Sequence, residues 1–278
     1  MKERHWTQIL ASFIILLGIP AYFVMQRSVH NERAFHNSSL SPLIFIPGSS
    51  ASQDRFDNLF QNLNANKTKH SILKLTVQTN KTVKVTGNIA ARDRQPFVVI
   101  AFQNNHDGYE NIAQQTKWLQ VAMTYLIKNY NFNNFQAIGH SNGGLIWTWY
   151  LEKYFDANDL TINSLTTIGT PYNSLESNPK NQTAIFRQLY QNRKRIPQKI
   201  TVFSIAGNTN YQDDGIVPAE SVDAGKYIFQ EQVQKYTQLT VTGADSTHSS
   251  VLANPQVTRL IHDNLINRHN NFNKPKKQ

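Results

Sequence analysis

Three side chains, far apart along this sequence, are of the types that together make an alcohol nucleophilic. Ser141 stands at the centre of Gly139-His140-Ser141-Asn142-Gly143, a G-x-S-x-G pentapeptide. A hydroxyl is a weak nucleophile at neutral pH, so it needs a base within hydrogen-bond reach and an acid that orients the base. Where such a pentapeptide forms a strand-to-helix elbow, the partners come in the order Ser, then Asp or Glu, then His. His248, in Ala244-Asp245-Ser246-Thr247-His248-Ser249-Ser250, is the expected base. Asp214 is the expected acid because it directly precedes the Gly215-Ile216-Val217 turn, with Asp213 as its rival. The chemistry implied is acyl transfer through a covalent intermediate, which also needs two N–H donors for the developing oxyanion. One is expected from Asn142, at the positive end of its helix. The other is expected from the loop after the first buried strand, at Ser49, where Gly48 lets the backbone approach closely.

The remaining histidines suit the base role less well. His5, His30 and His36 precede the domain, His262 and His269 sit on or beyond the last helix, and His106 precedes the serine within Asn104-Asn105-His106-Asp107-Gly108. His140 adjoins the serine but is expected to point elsewhere on so sharp a turn.

Positioning these groups requires strands that end at one rim. Phe135 to Ile138 is a short apolar strand, followed by the turn Gly-His-Ser-Asn-Gly-Gly and an unusually apolar helix. Side chains at the flanking glycines would clash where strand and helix approach. Leu43 to Pro47, Pro96 to Phe102 and Ile200 to Gly207 are uninterrupted apolar runs, as expected of strands buried on both faces. Ile162 to Thr170 and Gln238 to Gly243 supply two further strands. Ser71 to Val77 and Thr82 to Ile89 alternate apolar with polar, which predicts an antiparallel edge pair with one wet face. Helices are expected from about 55 to 66, over 112–130 with one apolar stripe, and near 255–267. Strands alternating with helices imply an α/β domain with a mostly parallel sheet flanked by helices. Residues 172–199 read as a small lid insertion, with Phe186, Leu189 and Tyr190 candidates for an acyl pocket.

The chain has 278 residues, 40% of them hydrophobic, enough for one sizeable domain. It has no cysteine, which excludes disulfides, zinc–thiolate sites and a cysteine nucleophile. Ile9 to Met25 is uncharged and apolar, with Lys2 and Arg4 before it and Arg27 after it. Seventeen helical residues reach roughly 26 Å, enough to cross a bilayer core. The run exceeds a signal-peptide core and lacks a small-x-small cleavage site, so an uncleaved N-terminal anchor is favoured over a cleaved signal. With Arg33 the basic residues on the two sides tie at two each, so charge does not orient it. The division expected is 1–41 for anchor and polar linker and 42–278 for the hydrolase domain. Net charge is +10, concentrated at Lys274, Lys276 and Lys277 and at Arg187, Arg193, Lys194, Arg195 and Lys199. This reads as a solvated basic face, or one drawn to an anionic envelope or lipid surface. No nucleic-acid motif accompanies it, so no nucleic-acid partner is expected.

Gly-His-Ser-Asn-Gly-Gly, Asp-Gly-Ile-Val-Pro and the late histidine in Thr-His-Ser-Ser-Val resemble the α/β-hydrolase superfamily, over about 43–267. More closely, the sequence is similar to Gram-positive cell-surface hydrolases that carry an N-terminal apolar segment. Ile168-Gly-Thr-Pro-Tyr-Asn-Ser resembles the corresponding segment of bacterial lipases. The resemblance implies the α/β-hydrolase fold, with Ser141 as nucleophile, Asp214 as acid, His248 as base, and Ser49 with Asn142 as oxyanion donors. One departure matters: the family often has His-Gly where this chain has Pro47-Gly48. Proline has no N–H, so the second donor must be Ser49 or Ser50. The expected function is hydrolysis of a small-molecule or lipid-like carboxylic ester, with no cofactor or metal, in an extracytoplasmic, membrane-anchored protein. The same three residues also serve acyltransferases and peptidases, and an idle scaffold used as a surface-binding module is the reading from another class.

Overall fold

The computed structural model describes residues 6, 16–23, 25, 38–65, 68–210 and 212–266. The apolar runs form strands because in a parallel sheet both faces are covered. β1 (Leu43–Ile46), β4 (Phe97–Phe102) and β7 (Thr201–Gly207) are buried at every position. With β2 (Ile72–Val77), β3 (Val83–Gly87), β5 (Asn134–His140), β6 (Thr161–Ile168) and β8 (Lys235–Val241) they form one eight-stranded sheet. Its order is β3-β2-β4-β1-β5-β6-β7-β8. Every neighbouring pair is parallel except β2 with β3.

Alternate residues of each strand feed two cores, as the strand's two-residue period requires. Ile44 and Ile46 face the core under α2 (Tyr109–Tyr130) and α3 (Asn142–Lys153), while Leu43 and Phe45 face the opposite one under α1 (Asp57–Leu63) and α7 (Pro255–Ile261). α3 is buried at every residue from Asn142 to Glu152, because it lies on the sheet and is covered by neighbouring helices. That explains its all-round apolar sequence.

The structure bears out some of these expectations and corrects others. β2 and β3 form the expected antiparallel pair at the edge of the sheet, with β3 outermost and β2 also pairing in parallel with β4. β3 is therefore exposed along almost its whole length rather than on one face. In the 172–199 insertion, α4 (Ala184–Asn192) buries Ile185, Phe186 and Leu189 in the core shared with α3 and with α6 (Gly225–Phe229). Phe186 and Leu189 are thus packing residues, and Tyr190 lies exposed. α5 (Ala219–Asp223) comes after the loop that leaves β7. Of the apolar run 9–25, residues 9–15 and 24 lie outside the described residues, as do the linker 26–37 and the basic tail 267–278. Residues 16–23 are helical and exposed, and no helix among the described residues is long and apolar enough to cross a membrane.

Candidate active site

Consecutive parallel strands deliver their C-terminal ends to one rim, and β1 lies between β4 and β5, where the strand order reverses. A crevice at such a switch point is the usual place for a ligand in an open α/β sheet. The loops after β1, β4, β5, β6, β7 and β8 all leave from this rim, and each contributes a residue to the site.

β5 ends in a turn so tight that Ser141 adopts φ 55° and ψ −129°, a conformation few side chains tolerate. The turn survives because its neighbours hold it. The Ser141 amide donates to the Ile168 carbonyl at 2.8 Å, and the Thr170 hydroxyl donates to the Ser141 carbonyl at 3.0 Å. The glycines are required by space: a Cβ at Gly139 would lie 2.4 Å from the Gly144 nitrogen, and one at Gly143 would lie 2.1 Å from the Ile46 carbonyl oxygen. Gly48 faces Ser141 in the same way, since a Cβ there would fall 2.6 Å from Ser141 Cβ.

His248 Nε2 lies 2.9 Å from Ser141 Oγ, and its Nδ1 lies 2.7 Å from Asp214 Oδ2. A carboxylate only accepts, so Nδ1 carries the hydrogen and Nε2 presents its lone pair to the serine hydroxyl. Asp214 is buried; its other oxygen accepts from the amides of Val217 at 2.7 Å and Ile216 at 3.1 Å. The Gly-Ile-Val turn after Asp214 is thus the cradle of the carboxylate. Asp213 instead accepts from the Gly215 amide at 2.8 Å and stays within its own loop. The imidazole is also held from behind, by the His248 amide donating to the Asp214 carbonyl at 2.7 Å.

Two further residues belong to this site. His140 is buried, and its Nε2 donates to the His248 carbonyl at 3.0 Å with the two rings 4.9 Å apart. Burial, reinforced by His248 and Arg55, pushes its pKa well below the ordinary histidine value. Arg55, just before α1, donates to the Ser249 carbonyl at 2.8 Å. No sequence signal marks Arg55, whose partner lies almost two hundred residues away. The buried run through β5 does extend to His140, which corrects the expectation that this side chain points away from the site.

The backbone amides of Ser49 and Asn142 donate to no described residue. Ser50 is otherwise engaged, its amide donating to the Asn105 carbonyl at 2.9 Å. Ser49 is therefore the residue after Pro47-Gly48 that keeps a free N–H. Of the other histidines, His70 is buried with its Nδ1 3.4 Å from Asp93 Oδ1, His106 is exposed, His262 lies 3.0 Å from Asp263, and His5, His30, His36 and His269 fall outside the described residues. Among the described residues no group of three or more His, Cys, Asp or Glu is placed to hold a metal ion.

A mostly parallel eight-stranded sheet, helices on both faces and a strained serine turn after β5 define an α/β-hydrolase. Residues 30–268 match the family described as alpha/beta hydrolase of unknown function (DUF915), and the chain belongs to that family. It is 46% identical to a protein of Lactobacillus plantarum WCFS1 provisionally named a cell surface hydrolase, with a TM-score of 0.76 over 86% of this chain and 99% of that one. A Listeria innocua gene product is 26% identical with a TM-score of 0.72, covering 80% of this chain and 92% of that one. Est1E from Butyrivibrio proteoclasticus, 14% identical with a TM-score of 0.50 over 84% and 90% of the two chains, shares the fold alone. No curated protein matches the sequence.

Proposed function

We propose that this protein is a serine hydrolase that cleaves a carboxylic ester through an acyl-enzyme. The observation that carries the reading is the unbroken row from Asp214 Oδ2 to His248 at 2.7 Å and on to Ser141 Oγ at 2.9 Å. As Oγ attacks the ester carbonyl carbon, its proton passes to His248 Nε2, and Asp214 stabilises the imidazolium that forms. The carbonyl oxygen, now an anion, is received by the Ser49 and Asn142 amides. A single such donor is worth about 3 kcal/mol of barrier. Collapse breaks the bond to the alcohol, which leaves with the proton from Nε2. Water then repeats the cycle on the acyl-serine, returning Ser141 and releasing the acid.

The setting proposed is extracytoplasmic, with residues 9–25 as a membrane anchor. Its support is the uncharged run in the sequence and the provisional cell-surface name of the Lactobacillus plantarum protein. The test is labelling of the purified protein by a fluorophosphonate, with Ser141→Ala as control and a panel of esters of graded acyl length. Labelling of wild type alone, together with ester turnover, supports the reading. Equal labelling of both proteins, or of neither, overturns it and leaves the surface-binding module.

A further inference from the structure

One flank of the domain carries charge of a single sign. Between Glu176 and Asp213 the sequence has no acidic residue, yet it holds Lys180, Arg187, Arg193, Lys194, Arg195 and Lys199. α4 turns its apolar stripe, Ile185, Phe186 and Leu189, into the core, so the rest of the helix faces outward. Arg187, Gln191 and Lys194 recur at helical spacing and are all exposed, as is Tyr190 beside them. The short turn Arg193–Arg195 prolongs the face. None of Arg187, Arg193, Lys194 and Arg195 forms an ion pair with a described residue.

Aromatic rings are set among these cations. Tyr190, 37% exposed, has the Arg193 guanidinium over its ring at 3.6 Å, and Tyr227 of α6, 51% exposed, has Lys226 Nζ at 5.1 Å. Buried Phe186 joins the two, stacked on Tyr190 at 5.8 Å and edge-on to Tyr227 at 6.4 Å. Lys226 is opposed by the nearby charge of Asp223, so the excess lies on α4 and the turn after it. Rings with an apolar body and a polar tip sit at the headgroup level of a bilayer, and anionic headgroups attract the Lys and Arg beside them. A soluble polyanion accounts for the cations and leaves the exposed rings without a role. A nucleobase needs an open ring face, and Arg193 already covers one on Tyr190.

We propose that the face made by α4, Arg193–Arg195 and Tyr227 docks on an anionic lipid surface. The inference stands apart from the serine-hydrolase reading, since it uses none of the residues assigned to that chemistry. α4 begins beside the catalytic rim: the Thr183 amide donates to Asn173 Oδ1 at 3.0 Å, in the loop whose Thr170 holds the Ser141 carbonyl. A bilayer held by this face is thereby brought alongside that loop.

The chain has no cysteine, so Gln191→Cys gives the full-length protein a single site for an environment-sensitive fluorophore. Thr86→Cys, exposed on β3 at the far edge of the sheet, is the reference position. Each labelled protein is mixed with vesicles of phosphatidylcholine alone, or of phosphatidylcholine and phosphatidylglycerol in equal parts. The label at 191 is expected to move to an apolar environment with the anionic vesicles only, and to return to water in molar salt. The label at 86 is expected to stay in water throughout, whether or not residues 9–25 enter the bilayer. Arg187→Gln, Arg193→Gln and Lys194→Gln, combined in the Gln191→Cys protein, are expected to weaken the contact about 100-fold, at about fivefold for each cation. The salt arm needs no charge variant, so it carries the test should the combined variant fail to fold. No response at 191, the same response with phosphatidylcholine alone or at 86, or a response that salt or the combined variant leaves unchanged overturns the inference. An equal response to soluble polyphosphate also overturns it, and makes the face a polyanion site instead.

Discussion

Two carboxyl groups are buried beside opposite ends of α3, and the fold treats them in opposite ways. Near its N-terminus Asp214, 1% exposed, accepts from the Val217 and Ile216 amides and from His248. In its last turn Glu152, 4% exposed, has no hydrogen-bond partner among the described residues for either carboxyl oxygen. Burial pushes the Glu152 pKa up to about 9, and the Arg195 charge opposes this only in part. Asp214 is surrounded by groups that can only donate, which suits a carboxylate. Glu152, on a helix packed in the core, finds no donor for either oxygen among the described residues, which suits a neutral acid. Burial is nearly the same in both places; what differs is the supply of donors. Loops have unpaired amides to offer, and the underside of a packed helix has none. A carboxylate poised for chemistry is therefore distinguished by its donors rather than by its depth.

The strongest way to break this comparison is at the serine it serves. Ser141→Ala is expected to lower kcat for ester hydrolysis by roughly 10⁶-fold, the scale seen when a triad nucleophile is removed. Retention of even a hundredth of wild-type kcat would detach Asp214 from any catalytic meaning. Next in size, Asp214→Asn keeps the shape but offers His248 a group that can donate, so the imidazole tautomer is no longer fixed. A fall of about 10⁴ in kcat is expected, measured with the same ester. Glu152→Gln, by contrast, should leave kcat within about threefold and change stability instead. The native state holds a proton on Glu152 that the unfolded chain releases above the ordinary value of 4.5. Wild-type stability from this group is thus full below about 4.5 and declines as pH rises towards about 9. Glutamine does not titrate, so urea melts should show the variant gaining on wild type steadily from about pH 5 to about pH 9. Parallel pH profiles for the two proteins would mean that Glu152 is ionised in the folded state.

The same contrast explains what is legible in the sequence. Buried strands such as Leu43–Ile46 and Phe97–Phe102 can be read because a parallel sheet demands unbroken apolar runs, and the elbow can be read because only glycine fits at 139 and 143. The choice of Asp214 over Asp213 comes from the Gly-Ile-Val turn, whose amides form its cradle. Alternation marks β2 and β3 as the edge pair because it reports which faces are wet, but it does not tell that β3 is outermost and that β2 also pairs with β4. Phe186 and Leu189 suggest a pocket because a helix's apolar stripe looks the same whether it lines a cavity or packs on a neighbour. Arg55 and Asp107 are silent for a different reason: their partners, the Ser249 carbonyl and the Asn142 amide, are brought to them only by the fold.

His140 sharpens the comparison on the basic side. Two imidazoles lie 4.9 Å apart; one faces the Ser141 hydroxyl, and the other donates to its neighbour's backbone with its remaining nitrogen unpartnered among the described residues. If His140 became charged, its charge would oppose the imidazolium that the proposed mechanism forms on His248. Its burial prevents this by disfavouring protonation. The native state therefore keeps His140 neutral while the unfolded chain takes up a proton below the ordinary value of 6.5. Stability from this group is present above that pH and is lost on acidification. His140→Phe retains a ring of similar size and removes both the donor and the titration. Loss of one neutral hydrogen bond is worth about 1 kcal/mol, so kcat should fall about fivefold to tenfold. In parallel, the variant's thermal stability should decline less than wild type's between pH 6.5 and about pH 5. An unchanged kcat with an equally steep acid limb would show that the second imidazole neither positions the first nor titrates on unfolding.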